Sequence, residues 1–159
     1  MLIRNILEES VRKFDEVKAV KWLNKKEIME RSYGELMENV VSTRKGLLAE
    51  GFEGKHIALI GTSSVEWMES YLGIITGCTT AVPLDAALPC EDLIDLLNRS
   101  DSAALFLSPK LRPYLDAFLE NCPKLQKVWM LQEEVEDAPA KVYGIGELRN
   151  AGKSASRSE

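Results

Sequence analysis

The hydrophobic positions of this chain follow two patterns, one with the spacing of a helix and one with the length of a buried strand. Residues 2–14 place apolar side chains three or four positions apart between charged ones, which predicts an amphipathic helix. Residues 17–32 have an extended pattern on both sides of the polar turn 24–26, which predicts a β-hairpin. The chain is therefore expected to open with a helix and a hairpin.

A longer helix is predicted to follow the hairpin. Ser32 and Glu35 have the spacing of a capping box, in which the serine accepts from a helical amide and the glutamate reaches back to the serine amide. Gly51 is predicted to end this helix in a left-handed conformation. The expected apolar face consists of Tyr33, Leu36, Met37, Val40, Val41, Leu47 and Leu48.

Four short apolar runs then alternate with helical patterns. The runs predict strands at 56–60, 79–84, 103–107 and 126–131, and each of the three gaps holds one helix. Strands joined by single helices cannot be hairpin partners, so the sheet should be parallel with right-handed crossovers. The predicted fold class is α/β, a mainly parallel sheet with helices on both faces, plus the N-terminal helix and hairpin.

The last part of the chain has a different composition, with more acidic residues and less apolar periodicity. An acidic connector at 133–137 precedes a short predicted helix near 145–150. Residues 151–159 lack apolar periodicity and are expected to form a linker or a frayed end. The length of 159 residues suits one domain, which we assign to residues 1–150.

The composition is that of a globular protein and disfavours several classes of partner. Of the residues, 45% are hydrophobic and 28% charged, enough for a packed core. Twenty Lys and Arg stand against 25 Asp and Glu, so no basic field gathers nucleic acid. No apolar run approaches the roughly 18 residues of a membrane span, and Arg4, Glu8 and Glu9 interrupt the first helix, unlike a signal peptide. We therefore expect a cytoplasmic protein with no membrane span and no nucleic-acid partner.

Few residues are able to perform nucleophilic or metal chemistry. Cys78, Cys90 and Cys122 are too far apart for a CxxC site and are interpreted as buried reduced thiols. His56 is the only histidine and begins a predicted strand, where a solvated or hydrogen-bonded histidine is commoner than a base. We predict no metal site and no catalytic residue within the chain.

Further candidates lie at the carboxyl ends of the predicted strands, where ligands of open parallel sheets gather. The turn 61–64 opens a helix whose free amides and dipole suit an anion, although a serine that merely caps the helix is the simpler interpretation. Lys110 and Arg112 follow the third strand and suit a phosphate, or form a solvated surface pair.

Three other patterns do not meet the requirements of a ligand site. Residues 146–154 resemble a GxxxxGK[ST] phosphate loop, but five residues instead of four separate Gly146 from Gly152. The pair of glycines at 144–146 lacks the third glycine of a dinucleotide fingerprint. Consecutive carboxylates such as those at 133–137 are usually solvated in a connector and seldom bind a cation.

Five segments of the chain occur in an order and at a spacing that is typical of adenylate-forming enzymes. The chain resembles, over about residues 2–150, the N-terminal part of an acyl-CoA synthetase of the AMP-binding superfamily, similar to fatty-acid–CoA ligases. The block 71–85 is the most specific, whereas Lys55-His56 and Cys78 depart mildly from the family pattern. The segments are Ser32-Tyr33-x-Glu35-Leu36, Ile57-Ala58-Leu59-Ile60 with Ser64-x-Glu66-Trp67, Tyr71-Leu72-Gly73-Ile74-Ile75-x-Gly77, Val82-Pro83-Leu84-Asp85, and Glu91-x-x-x-x-Leu96-Leu97-x-x-Ser100-Asp101-Ser102-Ala103.

The resemblance implies a parent enzyme that uses ATP, Mg²⁺ and CoA. Such an enzyme adenylates a carboxylic acid, here fatty or aryl, and then forms its CoA thioester. The Ser/Thr/Gly-rich phosphate loop, the ribose-binding aspartate and the catalytic lysine of the family are not found in the 159 residues. We therefore expect an incomplete, truncated large domain, inactive alone and without a bound cofactor, whose partner is the missing downstream half.

The resemblance also assigns roles to four side chains. Lys110 and Arg112 lie where some relatives place basic residues against the CoA nucleotide. Trp67 and Tyr71 belong to a helix that is either a buried crossover or a wall of the substrate channel. A surface that normally packs on the missing half should be apolar and exposed, which predicts a homodimer.

One alternative stays open and one is disfavoured. A free-standing α/β binding or interaction module without catalysis has the same sequence features, and only the sequence after residue 159 separates it from the ligase. A flavodoxin-like phosphoacceptor domain would need aspartates at the end of the first parallel strand, where residues 61–63 offer none.

Overall fold

The computed structural model describes residues 2–155, which form an α/β domain with an N-terminal helix and hairpin. The first elements are helix α1 (Ile3–Phe14), strands β1 (Lys18–Asn24) and β2 (Glu27–Ser32), and helix α2 (Tyr33–Ala49). The remaining strands are β3 (His56–Ile60), β4 (Thr80–Leu84), β5 (Ser102–Leu107), β6 (Lys127–Met130) and β7 (Val142–Gly144). The remaining helices are α3 (Val65–Ile75), α4 (Cys90–Arg99), α5 (Leu115–Asn121), preceded by a 3₁₀ helix at Pro109–Tyr114, and α6 (Ile145–Ala155).

Two sheets are present among the described residues. Strands β1 and β2 pair antiparallel, and the other five form a parallel sheet in the order β4-β3-β5-β6-β7. The predicted hairpin and the predicted parallel sheet are thereby confirmed. Strand β7 was not predicted, because its three residues are too few to produce a periodic pattern.

Helices cover the parallel sheet on both faces, as the sequence predicted. Alternate residues of each strand point to opposite faces, so Ala58 and Ile60 pack under α4 and α5, whereas Ile57 and Leu59 pack under α2, α3 and α6. Burial on both faces explains why these strands read as continuous apolar runs rather than alternating ones. Each face therefore has its own hydrophobic core.

The predicted ends of α2 are both found. Ser32 Oγ accepts from the amide of Glu35 at 3.1 Å, and the Ser32 amide donates to Glu35 Oε2 at 2.7 Å. The hydrogen bond from the Ser32 amide lowers the pKa of the Glu35 carboxyl below its usual value. Gly51 ends the helix with φ of 83°, the left-handed conformation expected of it.

Helix α6 is longer than the sequence pattern indicated. It continues to Ala155, so residues 151–155, expected in a linker, are helical, and residues 156–159 lie outside the described part of the chain. Close packing on α2 explains the extension, since a Cβ atom on Gly152 would lie only 2.1 Å from the Ser42 carbonyl oxygen. Of the two glycines that imitate a phosphate loop, Gly152 therefore serves the packing of α6 on α2, whereas Gly146 approaches the backbone of Glu133.

The free thiols and the histidine differ in their surroundings. Cys122 is buried and Cys90 is partly buried, but Cys78 is exposed, so the prediction of three buried thiols is wrong for Cys78. It is exposed because it lies in the turn between α3 and β4. His56 is exposed, as expected of a solvated histidine, and its Nδ1 donates to the Ser100 carbonyl oxygen at 2.7 Å.

Large apolar side chains are exposed on the N-terminal elements, whereas the central strands β3, β5 and β6 of the parallel sheet are almost entirely buried. Ile3, Ile6 and Phe14 lie exposed on α1, and Leu23 and Ile28 on the hairpin. No helix within residues 2–155 combines the length and the apolar character that a membrane crossing requires.

Candidate functional site

The main candidate site is a cleft at the carboxyl edge of the parallel sheet, which we call the carboxyl-edge cleft. Strand β3 continues through α3 to β4 on one side, whereas β5 continues to β6 on the other. The loops after β3 and β5 therefore diverge and leave a crevice between them, the place where open α/β sheets bind ligands.

The carboxyl-edge cleft has a volume of about 430 Å³ and a lining from three loops. This volume lies within the roughly 300–1,000 Å³ of small-molecule sites. Asp85 and Lys110 are the charged residues among its lining side chains. The lining consists of Gly61, Thr62, Ser63, Trp67, Leu84, Asp85, Ala86, Ala87, Lys110 and Leu111.

The floor of the cleft is held by a contact between the loops after β3 and β5. The amide of Thr62 donates to Ser108 Oγ at 3.2 Å, and Ser108 is buried. A Cβ atom on Gly61 would lie 2.1 Å from the same hydroxyl oxygen, so this close approach requires glycine. Ser108 is not among the predicted site residues, although it directly follows β5, where ligands of parallel sheets gather.

Helix α3 begins at the rim of the cleft. Ser64 Oγ accepts from the Trp67 amide at 3.1 Å and is thus the N-cap, which supports the simpler interpretation of this serine. Ser63 is exposed and lines the cleft. An anion placed in the cleft would meet the positive end of the α3 dipole.

The loop after β4 closes the opposite side. Asp85 Oδ1 accepts from the amide of Ala87 at 2.9 Å, which fixes the turn that leads to α4. This hydrogen bond leaves the rest of the Asp85 carboxylate exposed beside the cleft. The carboxylate and the ammonium of Lys110 therefore give the lining a balanced charge.

The structure separates the two basic residues predicted to contact CoA. Lys110 lines the carboxyl-edge cleft, whereas Arg112 does not. Both are exposed and belong to the 3₁₀ helix before α5. Of the pair, Lys110 is the one placed to reach a ligand in the cleft.

Trp67 and Tyr71 form one stacked unit on α3. Their ring centroids are 5.3 Å apart and the rings are inclined by only 11°. Both are partly buried against the core under α2, α3 and α6, and Trp67 also lines the cleft. Tyr71 thus supports the indole from behind rather than facing the cleft.

The arrangement offers several groups that bind a ligand. Within residues 2–155 no group of three or more His, Cys, Asp or Glu side chains is placed to hold a metal ion. His56 begins β3 and therefore lies at the amino edge, away from the cleft. The cleft supplies hydroxyls, amides, one ammonium, one carboxylate and an aromatic wall to a ligand.

Comparisons with known proteins agree with this architecture. The sequence model of the family "AMP-binding enzyme" matches residues 7–154. No curated protein matches the chain by sequence similarity.

Three solved structures of ligases share the fold of this chain. A coronafacic acid ligase from Pectobacterium brasiliense has a TM-score of 0.83 at 20% identity, over 94% of this chain and 29% of its own. The anthranilate CoA ligase AuaEII, in complex with anthranoyl-AMP, has a TM-score of 0.81 at 16% identity, over 94% and 28%. A long-chain-fatty-acid–CoA ligase from Archaeoglobus fulgidus has a TM-score of 0.78 at 16% identity, over 96% and 30%.

These findings confirm the resemblance that the sequence motifs indicated. The chain spans less than a third of the length of each of these three ligases. At such low identity the structures establish the fold, which is that of the N-terminal domain of adenylate-forming enzymes. Because the family's sequence model covers nearly the whole chain, the protein belongs to the AMP-binding enzyme family.

Proposed function

We propose that this chain forms the N-terminal part of the large domain of an acid–CoA ligase. In the proposed reaction a carboxylate attacks the α-phosphorus of ATP and releases pyrophosphate, and the CoA thiol then displaces AMP from the acyl adenylate. A fatty or aryl acid is the proposed substrate and the cytoplasm the proposed compartment. The observation that carries the proposal is the family match over residues 7–154.

The carboxyl-edge cleft contributes binding to this reaction. Its exposed Lys110 is suited to a phosphate of CoA, because an ammonium and a phosphate form a charge-assisted hydrogen bond. The amides at the start of α3 add a second set of donors for an anion. Trp67, stacked on Tyr71, offers a rigid apolar wall to the pantetheine or acyl chain.

The described residues do not form a complete binding site for ATP or Mg²⁺. A hard cation such as Mg²⁺ is held by several oxygen ligands, and residues 2–155 offer no cluster of carboxylates for it. The phosphate loop expected from the resemblance is also missing from the 159 residues. The proposal therefore assigns the chemical steps to a downstream half and leaves this chain inactive alone.

Pyrophosphate release tests the proposal. The 159-residue chain and the product of the complete reading frame are each incubated with ATP, Mg²⁺, CoA and a panel of fatty and aryl acids. We expect acid-dependent pyrophosphate and acyl-CoA, identified by mass spectrometry, from the complete product only. Activity of the 159-residue chain would contradict the assignment of the chemical steps to the downstream half. A native stop codon after residue 159 would favour the binding-module alternative.

A further inference from the structure

The two charged side chains of the carboxyl-edge cleft have no ion-pair partner among the described residues. Asp85 accepts one hydrogen bond, from the Ala87 amide to Oδ1, so its Oδ2 is left for a ligand. Lys110 is exposed and enters the lining from the 3₁₀ helix after β5. A ligand that carries both an anion and a hydrogen-bond donor would give each charge a partner.

The order of the strands sets the distance between these two charges. Strands β4 and β5 flank β3, and neighbouring strands lie about 4.8 Å apart, so the loops after β4 and β5 begin about 10 Å from each other. Asp85 directly follows β4, and Lys110 lies shortly after β5. The two charges therefore stand on opposite sides of the cleft, with the end of β3 between them.

The indole of Trp67 lies between the two charges. A Cβ atom on Gly61, the residue after β3, would lie 3.1 Å from Trp67 Cδ1, so the indole covers the end of this strand. Tyr71 stacks on the indole with ring centroids 5.3 Å apart and holds it in place. The cleft thus presents an ammonium, an apolar wall and a carboxylate, in that order, across the ends of β5, β3 and β4.

The phosphorylated pantoyl group of CoA carries matching chemical groups in the same order. Its phosphate is followed by a carbon with two methyl groups, and then by a hydroxyl and an amide N–H. A phosphate accepts from an ammonium, and a carboxylate accepts from a hydroxyl and from an amide N–H. The methyl groups would lose contact with water against an indole.

The nucleotide end of CoA matches the cleft less well. It carries a 3′-phosphate as well as the diphosphate, whereas the charges of Asp85 and Lys110 cancel within the lining. Several phosphate charges beside the Asp85 carboxylate would repel it. The volume of about 430 Å³ lies in the lower half of the roughly 300–1,000 Å³ of small-molecule sites, which suits one arm of CoA rather than the whole molecule.

We propose that the carboxyl-edge cleft binds the 4′-phosphopantetheine arm of CoA, and that Asp85 recognises its pantoyl group. Lys110 donates to the phosphate, Trp67 contacts the two methyl groups, and Asp85 Oδ2 accepts from the hydroxyl and the amide. The inference rests on the proposed function for the choice of CoA as the ligand. It goes further, because any acceptor with a 4′-phosphopantetheine arm should bind, with or without adenosine.

Nuclear magnetic resonance titrations of the 159-residue chain test which part of CoA the cleft binds. The probes are 4′-phosphopantetheine, pantetheine without the phosphate, and 3′,5′-ADP as the nucleotide end. We expect saturable shifts of the Thr62, Asp85 and Ala87 amides with 4′-phosphopantetheine, weaker binding of pantetheine and the weakest binding of 3′,5′-ADP.

Two variants assign each charge to its part of the ligand. Asp85→Asn keeps an acceptor for the Ala87 amide but turns the other oxygen into a donor, so it should weaken 4′-phosphopantetheine and pantetheine alike, each about fivefold. Lys110→Ala should weaken only 4′-phosphopantetheine, also about fivefold, and leave pantetheine unchanged. Asp92→Asn is the matched control, because Asp92 is an exposed aspartate of α4 outside the lining.

Three results would overturn the assignment. They are the absence of saturable shifts, tighter binding of 3′,5′-ADP than of 4′-phosphopantetheine, and equal affinities of the wild type and Asp85→Asn for pantetheine. The pyrophosphate assay gives a separate answer, since a complete product without ligase activity contradicts the proposed function but leaves these affinities unchanged.

Discussion

Glu69 and Arg149 form a salt bridge inside the domain although they are 80 residues apart in sequence. Glu69 Oε2 lies 3.1 Å from Arg149 Nη2, and the two side chains are 0% and 5% exposed. The same carboxylate pairs with Arg31 Nε at 3.0 Å and accepts from Asn39 Nδ2 at 3.1 Å. One buried carboxylate thus joins α3 to α2, to α6 and to the hairpin.

Removal of the arginine should be strongly destabilising. Arg149→Met leaves the buried Glu69 carboxylate with only Arg31 and Asn39 as polar partners within residues 2–155. The loss of one partner of a buried ion pair lowers the free energy of unfolding by about 3–5 kcal/mol. Urea denaturation followed by circular dichroism measures this loss. Arg99→Met is the control, because Arg99 is 77% exposed and its pair with Asp95 should contribute less than about 1 kcal/mol. Equal losses in the two variants would contradict the role of burial.

The same carboxylate should make stability depend on pH. Burial raises the pKa of Glu69 above its ordinary 4.5, and Arg149, Asn39 and Arg31 offset only part of this effect. The folded state thus binds this proton more readily than the unfolded chain, so the contribution is complete below pH 4.5 and is lost as the pH rises through the folded pKa.

Comparison with Glu69→Gln isolates this contribution from other groups that titrate. The free energy of unfolding of the wild type, relative to that of Glu69→Gln, should decrease as the pH rises above 4.5. Urea titrations between pH 4 and pH 8 give this difference. A difference that stays constant, or that increases with pH, would mean that the arginines outweigh burial.

The local elements of the fold could be predicted from the sequence because neighbouring residues determine them. The Ser32–Glu35 capping box and the left-handed Gly51 each depend on residues within one helical turn. The parallel sheet followed from the alternation of apolar runs with helices. Strand β7 escaped prediction because three residues show no period, and it is held by pairing with β6.

The sites were harder to predict, since they depend on residues brought together from distant segments. The carboxyl edge of the sheet was a sound general location, but only the structure separates Lys110, in the cleft, from Arg112, outside it. The pair of Glu69 and Arg149 had no sequence signal, because nothing local links two charges 80 residues apart. Cys78 was misjudged for the same reason, since its exposure depends on where the turn after α3 lies.

The contact between α2 and α6 should depend on the absence of a side chain at Gly152. In Gly152→Ala the added Cβ would lie 2.1 Å from the Ser42 carbonyl oxygen, so the helices must separate, which costs about 1–3 kcal/mol. Thermal and urea denaturation measure the loss. Gly51→Ala is the comparison, because nothing lies within 4 Å of its Cβ and its cost, about 1 kcal/mol, comes from the positive φ alone. A smaller loss for Gly152→Ala than for Gly51→Ala would contradict the packing argument.

In the complete ligase that we propose, Lys110 should affect CoA binding rather than the chemical steps. Lys110→Ala removes an exposed ammonium at the cleft. We expect the KM for CoA to rise about fivefold, because a screened ion pair contributes ~1 kcal/mol of binding free energy, and kcat to stay unchanged. Steady-state kinetics at two salt concentrations measures both constants. Lys124→Ala, an exposed lysine outside the cleft, is the control. A lower kcat with an unchanged KM would show that Lys110 does not contact CoA.

The tip of the hairpin should mediate self-association of the 159-residue chain. Leu23 and Ile28 face each other across the hairpin and are 69% and 73% exposed, and burial of such a side chain contributes about 1.5–3 kcal/mol. A dimer that covers four of them is therefore expected in sedimentation and light scattering at high concentration. The double variant Leu23→Thr/Ile28→Thr keeps β-forming residues but should be monomeric. The control Lys21→Thr/Glu30→Thr changes the neighbouring polar pair and should remain dimeric. A monomeric wild type would mean that Leu23 and Ile28 are exposed to solvent without mediating self-association.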